Sequence, residues 1–339
     1  MRTLIVGAGA LGGVIAARLR AAGGASVSLA TRTAESAAKL KRSGLRVTGV
    51  GGAVSVHVAE IAPVEEYRDR RPFDLIVLAT KAHDAIEVAP ALSGLLRSNG
   101  TLLPIQNGSV SELVAGRLGN ERVLGGLSNL GATMTAPGIY EQRNAGHLLI
   151  GEVAGGDSER AERVRRWLGR GVEVRTTGNI RGAVWSKLLL NCSVTTIGAI
   201  AGQTMREYIA TPEGRELFDR TYDEALSVAL RSGARPEAML VDPIPPAWRG
   251  RSIPGDAHGA WLNQILRGYG DVKPSMLQDF ERGRRTEIDF INGYVVDLGR
   301  RHGFGTPTNA AILETVNAIS QRQLAPAPVL MGRILQATR

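Results

Sequence analysis

The chain opens with a short unbroken apolar run, TLIV at residues 3–6, passes through three glycines, and then places Leu11, Ile15 and Leu19 four residues apart. A continuous run followed by a period of about four reads as a buried strand, a tight turn and a helix. Apolar runs of the same kind recur at 26–31 (SVSLAT), 73–80 (FDLIVLAT) and 100–108 (GTLLPIQNG). Their lack of alternation predicts strands covered on both faces of a parallel sheet. Additional, partly antiparallel strands are predicted at 122–128, 139–143 and 147–151, and strand-like alternation ends with VEVRTTGN at 172–179. Helical periodicity then takes over, over 181–200, 213–232, 257–268, 275–301 and 307–322. Between the second and third of these, Pro236, Pro243, Pro245, Pro246 and Pro254 make 234–256 an irregular excursion. The pattern predicts an α/β protein with a doubly wound, Rossmann-type sheet in residues 1–178 and an all-helical domain in 179–339.

The glycines sharpen this reading. Gly7, Gly9 and Gly12 form G-x-G-x-x-G between a strand and a helix, with Ala10 and Leu11 at the helix start. In that setting the first glycine permits the turn, the second admits a pyrophosphate to the backbone, and the third lets helix and strand pack closely. At the end of the second strand, where an NAD site carries a carboxylate for the ribose hydroxyls, the chain has Thr31, Arg32 and Thr33. A guanidinium flanked by hydroxyls suits a 2′-phosphate, so the expected cofactor is NADPH/NADP rather than NAD. Lys81 and Asn107 fall at the carboxyl ends of later strands, where ligands of such sheets bind. A solvated lysine and a plain Asn-Gly turn are the alternative readings of those two positions.

In the helical half, WSKLLLNCSVTTIGAI (185–200) sets Lys187, Asn191 and Thr195 at steps of four among leucines and isoleucines. Burying such groups unpaired costs several kcal/mol, on the order of 2–7 each. Either the stripe is the solvent face of an amphipathic helix or it lines a wet cleft; the apolar continuation TIGAIAG leaves little polar surface for the first. Further on, Ile288, Ile291, Val295 and Leu298 define an apolar side toward which Glu287 leans, while Asp289 points away. An ion pair of Glu287 with Arg284 is the structural alternative.

Composition removes several function classes. Aromatic residues make up 4% of the chain, and basic residues are interleaved with acidic ones, so no stacking platform or basic tract for nucleic acid is present. The formal charge of +9 favours anions in general, and a phosphorylated cofactor or a carboxylate substrate accounts for only part of it. Cys192 is the single cysteine, which excludes an intrachain disulfide and fits a reducing, cytoplasmic setting. The glycine-broken start is unlike a signal peptide, and no apolar run approaches the roughly 20 residues of a membrane span. The five histidines are scattered without metal-ligand spacing, so no metal is expected.

Taken together, GAGALGG, LATKA with Lys81, QNG with Asn107, WSKLLLN with Lys187 and Asn191, and SMLQDFERGRRTEIDFING with Ser275 and Glu287 resemble the ketopantoate reductase family in order and spacing. The resemblance runs along nearly the whole chain. It implies an NADPH-dependent oxidoreductase that reduces 2-dehydropantoate to pantoate, on the route to pantothenate and coenzyme A. By that resemblance Lys187 is the general acid and Glu287 binds the forming hydroxyl. Asn107 and Asn191 arrange substrate and lysine, Ser275 binds the substrate carboxylate, and Lys81 sits beside the cofactor. The sequence departs from the family where further asparagines contact substrate: Thr195 stands at one such place, and no equivalent of the other is evident near Gln203 or Thr204. Another branched or aromatic 2-keto acid is therefore the alternative substrate, and a non-catalytic NADPH sensor the alternative of another class. Helical C-terminal domains of related enzymes often support a homodimer.

Overall fold

The computed structural model describes residues 1–24, 26–249 and 256–339, so Pro254 and the rest of 250–255 in the proline-rich excursion lie outside the described residues. The chain forms two compact units, Met1–Arg181 and Gly182–Arg339. In the first, β1 (Thr3–Val6) leads into α1 (Ala10–Ala21) and β2 (Val27–Thr31) into α2 (Ala34–Ser43). Three short strands follow, β3 (Leu45–Gly49), β4 (Val54–Val56) and β5 (Glu60–Pro63), and then β6 (Phe73–Leu78), α3 (Ala82–Ser93), β7 (Leu96–Pro104) and α4 (Val110–Leu118). The unit closes with β8 (Leu124–Ser128), β9 (Ala132–Ala136), β10 (Ile139–Gln142), β11 (Leu148–Glu152), α5 (Glu159–Leu168) and β12 (Val174–Thr176).

The main sheet has the order β5-β2-β1-β6-β7, and every pairing in it is parallel. From β1 the chain winds outward to β2 and β5, then crosses to the other side for β6 and β7. That reversal makes the carboxyl ends of β1 and β6 a topological switch point, where ligands of open α/β sheets bind. Leu4, Ile5, Leu75, Ile76 and Val77 are wholly buried, which explains why these strands read as unbroken apolar runs. The expected partly antiparallel strands are present: β8 runs antiparallel to β11, and β10 antiparallel to β9. β3, β4, β5 and β9 were not foreseen, because glycines with positive φ at 49, 51 and 52 cut the first of these segments into pieces too short for a periodic signal.

The second unit begins within α6 (Ile180–Leu190) and continues through a π turn (Asn191–Thr195), α7 (Thr196–Ala201), α8 (Met205–Tyr208), α9 (Pro212–Arg231), α10 (Ala257–Tyr269), α11 (Ser275–Glu281), α12 (Asn292–Arg301), α13 (Pro307–Ser320) and α14 (Val329–Ala337). No strand occurs in it among the described residues. The helix α9 starts as its sequence dictates: Thr211 accepts from Gly214 N at 3.0 Å and Pro212 occupies the first turn. It buries Leu217, Phe218, Tyr222, Ala225 and Leu226 along one stripe. Two expectations need correcting. The predicted helix 275–301 is broken, since Gly283 adopts φ +59° and ends α11, and a 3-10 turn at Ile288–Phe290 precedes α12. Also, the helical stretch Ile180–Ala201 is long and apolar enough to cross a membrane by length and composition, but 89% of its window is buried inside the protein.

Candidate active site

Each unit holds one group of the residues singled out in the sequence. In the first, Gly7 has φ +105°, and a Cβ there would lie 2.9 Å from the backbone of Ala79 and Thr80 at the end of β6. A Cβ on Gly12 would collide with Gly7 O. These two glycines are thus required by the protein's own packing at the switch point. Gly9 is different: a Cβ there meets nothing within 4 Å, so the space above it is open. Gly9 is also the N-cap of the 12-residue α1 and provides no side-chain cap, which leaves the first-turn amides facing that space. Ala10 and Leu11 form the first turn of α1.

The ends of β6 and β7 add an unusual concentration of unsatisfied polar atoms. Gln106 donates Nε2 to Leu78 O (2.8 Å) and Thr80 O (3.0 Å), which leaves Oε1 buried without a partner. Thr80 Oγ1 and Ser109 Oγ are buried and unpartnered as well. Buried polar groups are nearly always hydrogen-bonded, so three orphans just beyond the ends of these two neighbouring strands mark a place that a polar ligand would complete. The open space at Gly9, the bare helix start and these orphans fit a dinucleotide. Asn107 lies between β7 and α4, half-buried, with Gly108 after it at φ +74°. Lys81 is the exposed N-cap residue of α3.

The ribose end is more constrained than the sequence implied. Thr33 caps α2 by accepting from Ser36 N at 3.2 Å, and Thr31 Oγ1 donates to Thr33 O at 2.9 Å. Thr33 Oγ1 in turn donates to Ser36 Oγ at 3.0 Å, so both hydroxyls are committed locally. Arg32, with 78% of its side chain exposed, pairs with Asp84 at 2.6 Å. Sequence reasoning missed Asp84, and it missed Tyr140 on β10. The Tyr140 ring packs where a Cβ on Gly13 would stand, and its hydroxyl donates to Ala8 O at 3.1 Å, bracing the glycine loop. No short motif announces that contact.

In the second unit, the polar stripe lies on a helix that changes pitch. In a regular α-helix eight residues leave Thr195 about 80° from Lys187, but one extra residue absorbed in a π turn takes back about 100° and returns it to within about 20°. Accessibility agrees with that geometry: from Gly182 to Ala201 only Lys187 and Thr195 are partly exposed, and every other residue is buried. Asn191 is 7% exposed. Thr195 turns its hydroxyl back to Asn191 O at 2.9 Å, and Thr196 Oγ1 reaches the same oxygen at 3.1 Å. Ser186, beside the lysine, donates to Glu237 O at 2.6 Å and accepts from Glu237 N at 2.8 Å, so the chain after α9 is pinned to α6.

Desolvation brings the Lys187 ammonium down from 10.5 to about 8, and the charge of Glu287 opposes that fall. Glu287 is half-buried, whereas Asp289 is exposed and bonds Arg285 at 3.4 Å, the inward and outward division expected from their positions. Ser275 is exposed at the first position of α11. Its approach to α7 depends on Gly198, where a Cβ would lie 2.8 Å from Pro274. Gln203 carries a buried, unpartnered Oε1 near the end of α7, an acceptor the sequence did not single out. Cys192 is buried, and burial pushes its thiol far up, so it is not a nucleophile.

A parallel sheet with a glycine loop at its switch point, followed by a helical unit carrying a desolvated lysine beside a glutamate, defines a nicotinamide-dependent oxidoreductase. The chain matches the family profile "Ketopantoate reductase PanE/ApbA" over residues 3–155 and its C-terminal counterpart over 179–320. It is 30% identical to a 2-dehydropantoate 2-reductase of Mesorhizobium japonicum over 94% of this chain and 98% of that protein. Against the Archaeoglobus fulgidus protein of the same name, identity is 27% over 94% and 97% of the two chains. Among solved structures, a PanE/ApbA family ketopantoate reductase from Ralstonia eutropha superposes with a TM-score of 0.78 at 25% identity, covering 95% of this chain and 99% of that one. A D-mandelate dehydrogenase solved with NADH and anilino(oxo)acetate shares the fold, with a TM-score of 0.78 at 22% identity and coverage of 95% and 99%. The protein belongs to the ketopantoate reductase family.

Proposed function

We propose that the protein reduces 2-dehydropantoate to pantoate with NADPH. Residues 1–178 serve as the cofactor domain and 179–339 as the substrate and catalytic domain. The observation that carries this reading is the placement of Lys187, a partly exposed ammonium in an otherwise buried apolar helix, where desolvation lowers its pKa to about 8 and the charge of Glu287 acts on it. A group that titrates near neutrality can both hold and release a proton, which is what a general acid needs. NADPH, when bound, supplies the hydride. The charge that builds on the keto oxygen is met by the Lys187 N–H, which stabilises it and then transfers a proton to give the hydroxyl. Glu287 keeps the ammonium charged despite its burial and accepts from the new hydroxyl.

Asn107 and Asn191 orient the substrate and the lysine, Thr195 lines the same helix face as Lys187, and Ser275 takes the carboxylate. Gly7, Gly9, Ala10, Leu11 and Gly12 receive the pyrophosphate, Lys81 lies beside the cofactor, and Arg32 faces the 2′-phosphate. A second reading, reduction of another branched or aromatic 2-keto acid, is favoured by one observation: the Thr195 hydroxyl is already engaged by Asn191 O at 2.9 Å, where the family pattern has a freely contacting asparagine.

The test is a steady-state assay of NADPH oxidation with 2-dehydropantoate and a panel of other 2-keto acids. Turnover of 2-dehydropantoate well above the rest supports the first reading. Turnover of a different keto acid supports the second, and turnover of none, with NADPH still bound, refutes both.

A further inference from the structure

The π turn that sets Thr195 and Asn191 against Lys187 needs a device to hold it, because a widened turn displaces carbonyls from their usual i+4 amides. The Thr196 amide, which in a regular α-helix would donate to Cys192 O, reaches back to Asn191 O instead. A side chain reaches Cys192 O from outside the helix: Asn292, the first residue of α12, donates Nδ2 to Cys192 O at 3.4 Å and to Asn309 Oδ1 at 2.9 Å. Tyr208 OH donates to the next carbonyl, Ser193 O, at 2.9 Å.

The orientation of the Asn292 amide is dictated from behind. Glu224, on α9, accepts from Thr308 N (2.8 Å) and Asn309 N (2.9 Å) at the start of α13, where a carboxylate is favoured by the helix end. The same carboxylate accepts from Asn309 Nδ2 at 2.8 Å, and Thr221 O does so at 3.2 Å. Asn309 can then offer only Oδ1 toward Asn292, and two acceptors, Asn309 Oδ1 and Cys192 O, fix the Asn292 NH2 on their side. The consequence is that Asn292 Oδ1 is left buried without a donor, on a residue with no exposed surface. A fold selected only for stability has no reason to keep that defect; such exceptions concentrate where function sets the geometry.

The position of Asn292 in the chain gives the arrangement its meaning. It follows Glu287 by one short 3-10 turn, so the element that carries the carboxylate grips the element that carries the lysine. A second tie lies on the other side of Lys187, where Tyr294 of α12 meets Trp185 with ring centroids 5.8 Å apart. We propose that Asn292, oriented through Asn309 and Glu224, is a positioning residue that locks the π turn and thereby fixes the relative placement of Lys187, Asn191, Thr195 and Glu287. The proposal rests on the reading of Lys187 as the proton donor.

The test compares wild type, Asn292→Leu, Glu224→Gln as a milder lesion of the same relay, and Ile265→Ala in α10 as a stability-matched control away from the π turn. Amide exchange is read by mass spectrometry on the full-length protein without substrate, and kcat and NADPH dissociation constants are measured in parallel. In Asn292→Leu, exchange across residues 190–198 rises by about tenfold or more while the first unit exchanges as before. Its kcat falls by about 10–100-fold with NADPH affinity within about twofold of wild type, the signature of misplaced catalytic groups. Glu224→Gln shows the same pattern at roughly a third of the size, and it carries the test if Asn292→Leu does not fold. Ile265→Ala loses melting temperature without either change.

Wild-type exchange at 190–198 in Asn292→Leu, or kcat retained within about twofold in an enzyme that reduces a keto acid, overturns the proposal. A wild-type protein that reduces no keto acid, yet shows the local rise in exchange on Asn292→Leu, sinks the reductase reading and leaves the clamp standing.

Discussion

At Gly9 an added side chain would point into open space, while at Asn191 a polar side chain is packed among leucines at 7% exposure. The two regions prepare for a ligand in opposite ways. The first unit removes side chains so that backbone amides and buried acceptors are left over for a dinucleotide. The second inserts polar side chains into an apolar helix and accepts their desolvation, using a π turn to line them up. A binding cradle is written in absences, which a glycine motif records, whereas the polar stripe around Lys187 is written in placements that only the fold explains.

The sharpest way to separate the two regions is Lys187→Ala. Keto acid reduction is expected to fall by about 100-fold or more, the usual loss on removing a general acid, while the NADPH dissociation constant stays within about twofold. Titration calorimetry beside steady-state kinetics reads both, and a matching loss of cofactor binding would break the division.

The complementary lesion is the pair Gly9→Ala and Gly12→Ala. With a Cβ that strikes Gly7 O, Gly12→Ala should lose about 1–3 kcal/mol of stability in thermal or urea unfolding. Gly9→Ala should melt like wild type, since nothing lies within 4 Å of its Cβ, and yet bind NADPH about tenfold more weakly. Equal melting losses in both variants would show that Gly9 serves packing rather than a ligand.

A smaller effect concerns the ribose end. Arg32→Ala should reduce the preference for NADPH over NADH by about tenfold, as for loss of one charge-assisted contact. Asp84→Asn, which frees an exposed arginine, should strengthen NADPH binding by no more than about fivefold. An unchanged cofactor ratio in Arg32→Ala would remove the case for NADPH specificity.

The smallest expected effect is on stability. The Lys187 pKa is lowered from 10.5 to about 8, so between those values the unfolded chain binds the extra proton and stability rises with pH. Below about pH 8 the buried charge is a net cost that a neutral side chain avoids. Lys187→Met should therefore melt roughly 2–6 °C higher than wild type at neutral pH, with the gain fading toward pH 10.5. Calorimetric scans across that range that show a constant difference would contradict the desolvated lysine.

Much of this architecture was legible before the fold was known, for physical reasons that also mark where legibility stops. Unbroken apolar runs gave β1, β2, β6 and β7 because both faces of the sheet are covered, and the flanked glycines located the switch point. Glu287 and Asp289 were separated correctly by helical phase although the helix assumed for them does not exist. Gly283 breaks it, and a turn-forming glycine inside an amphipathic pattern has no periodic signature. Arg32 was visible, but its partner Asp84 lies 52 residues away and its flanking hydroxyls are spent on local caps. The π turn was invisible, and so were the bonds that Asn292 and Tyr208 donate to Cys192 O and Ser193 O, which sequence spacing does not connect.

The central claim is that Lys187 delivers the proton to the keto oxygen. Its most direct test is single-turnover NADPH oxidation with a saturating keto acid as a function of pH, wild type beside Lys187→Ala. The wild-type rate is expected to be flat at low pH and to fall about tenfold per unit above a midpoint close to 8, with that limb absent in the variant. A wild-type profile that stays flat through that region, or a limb that survives in Lys187→Ala, would contradict it.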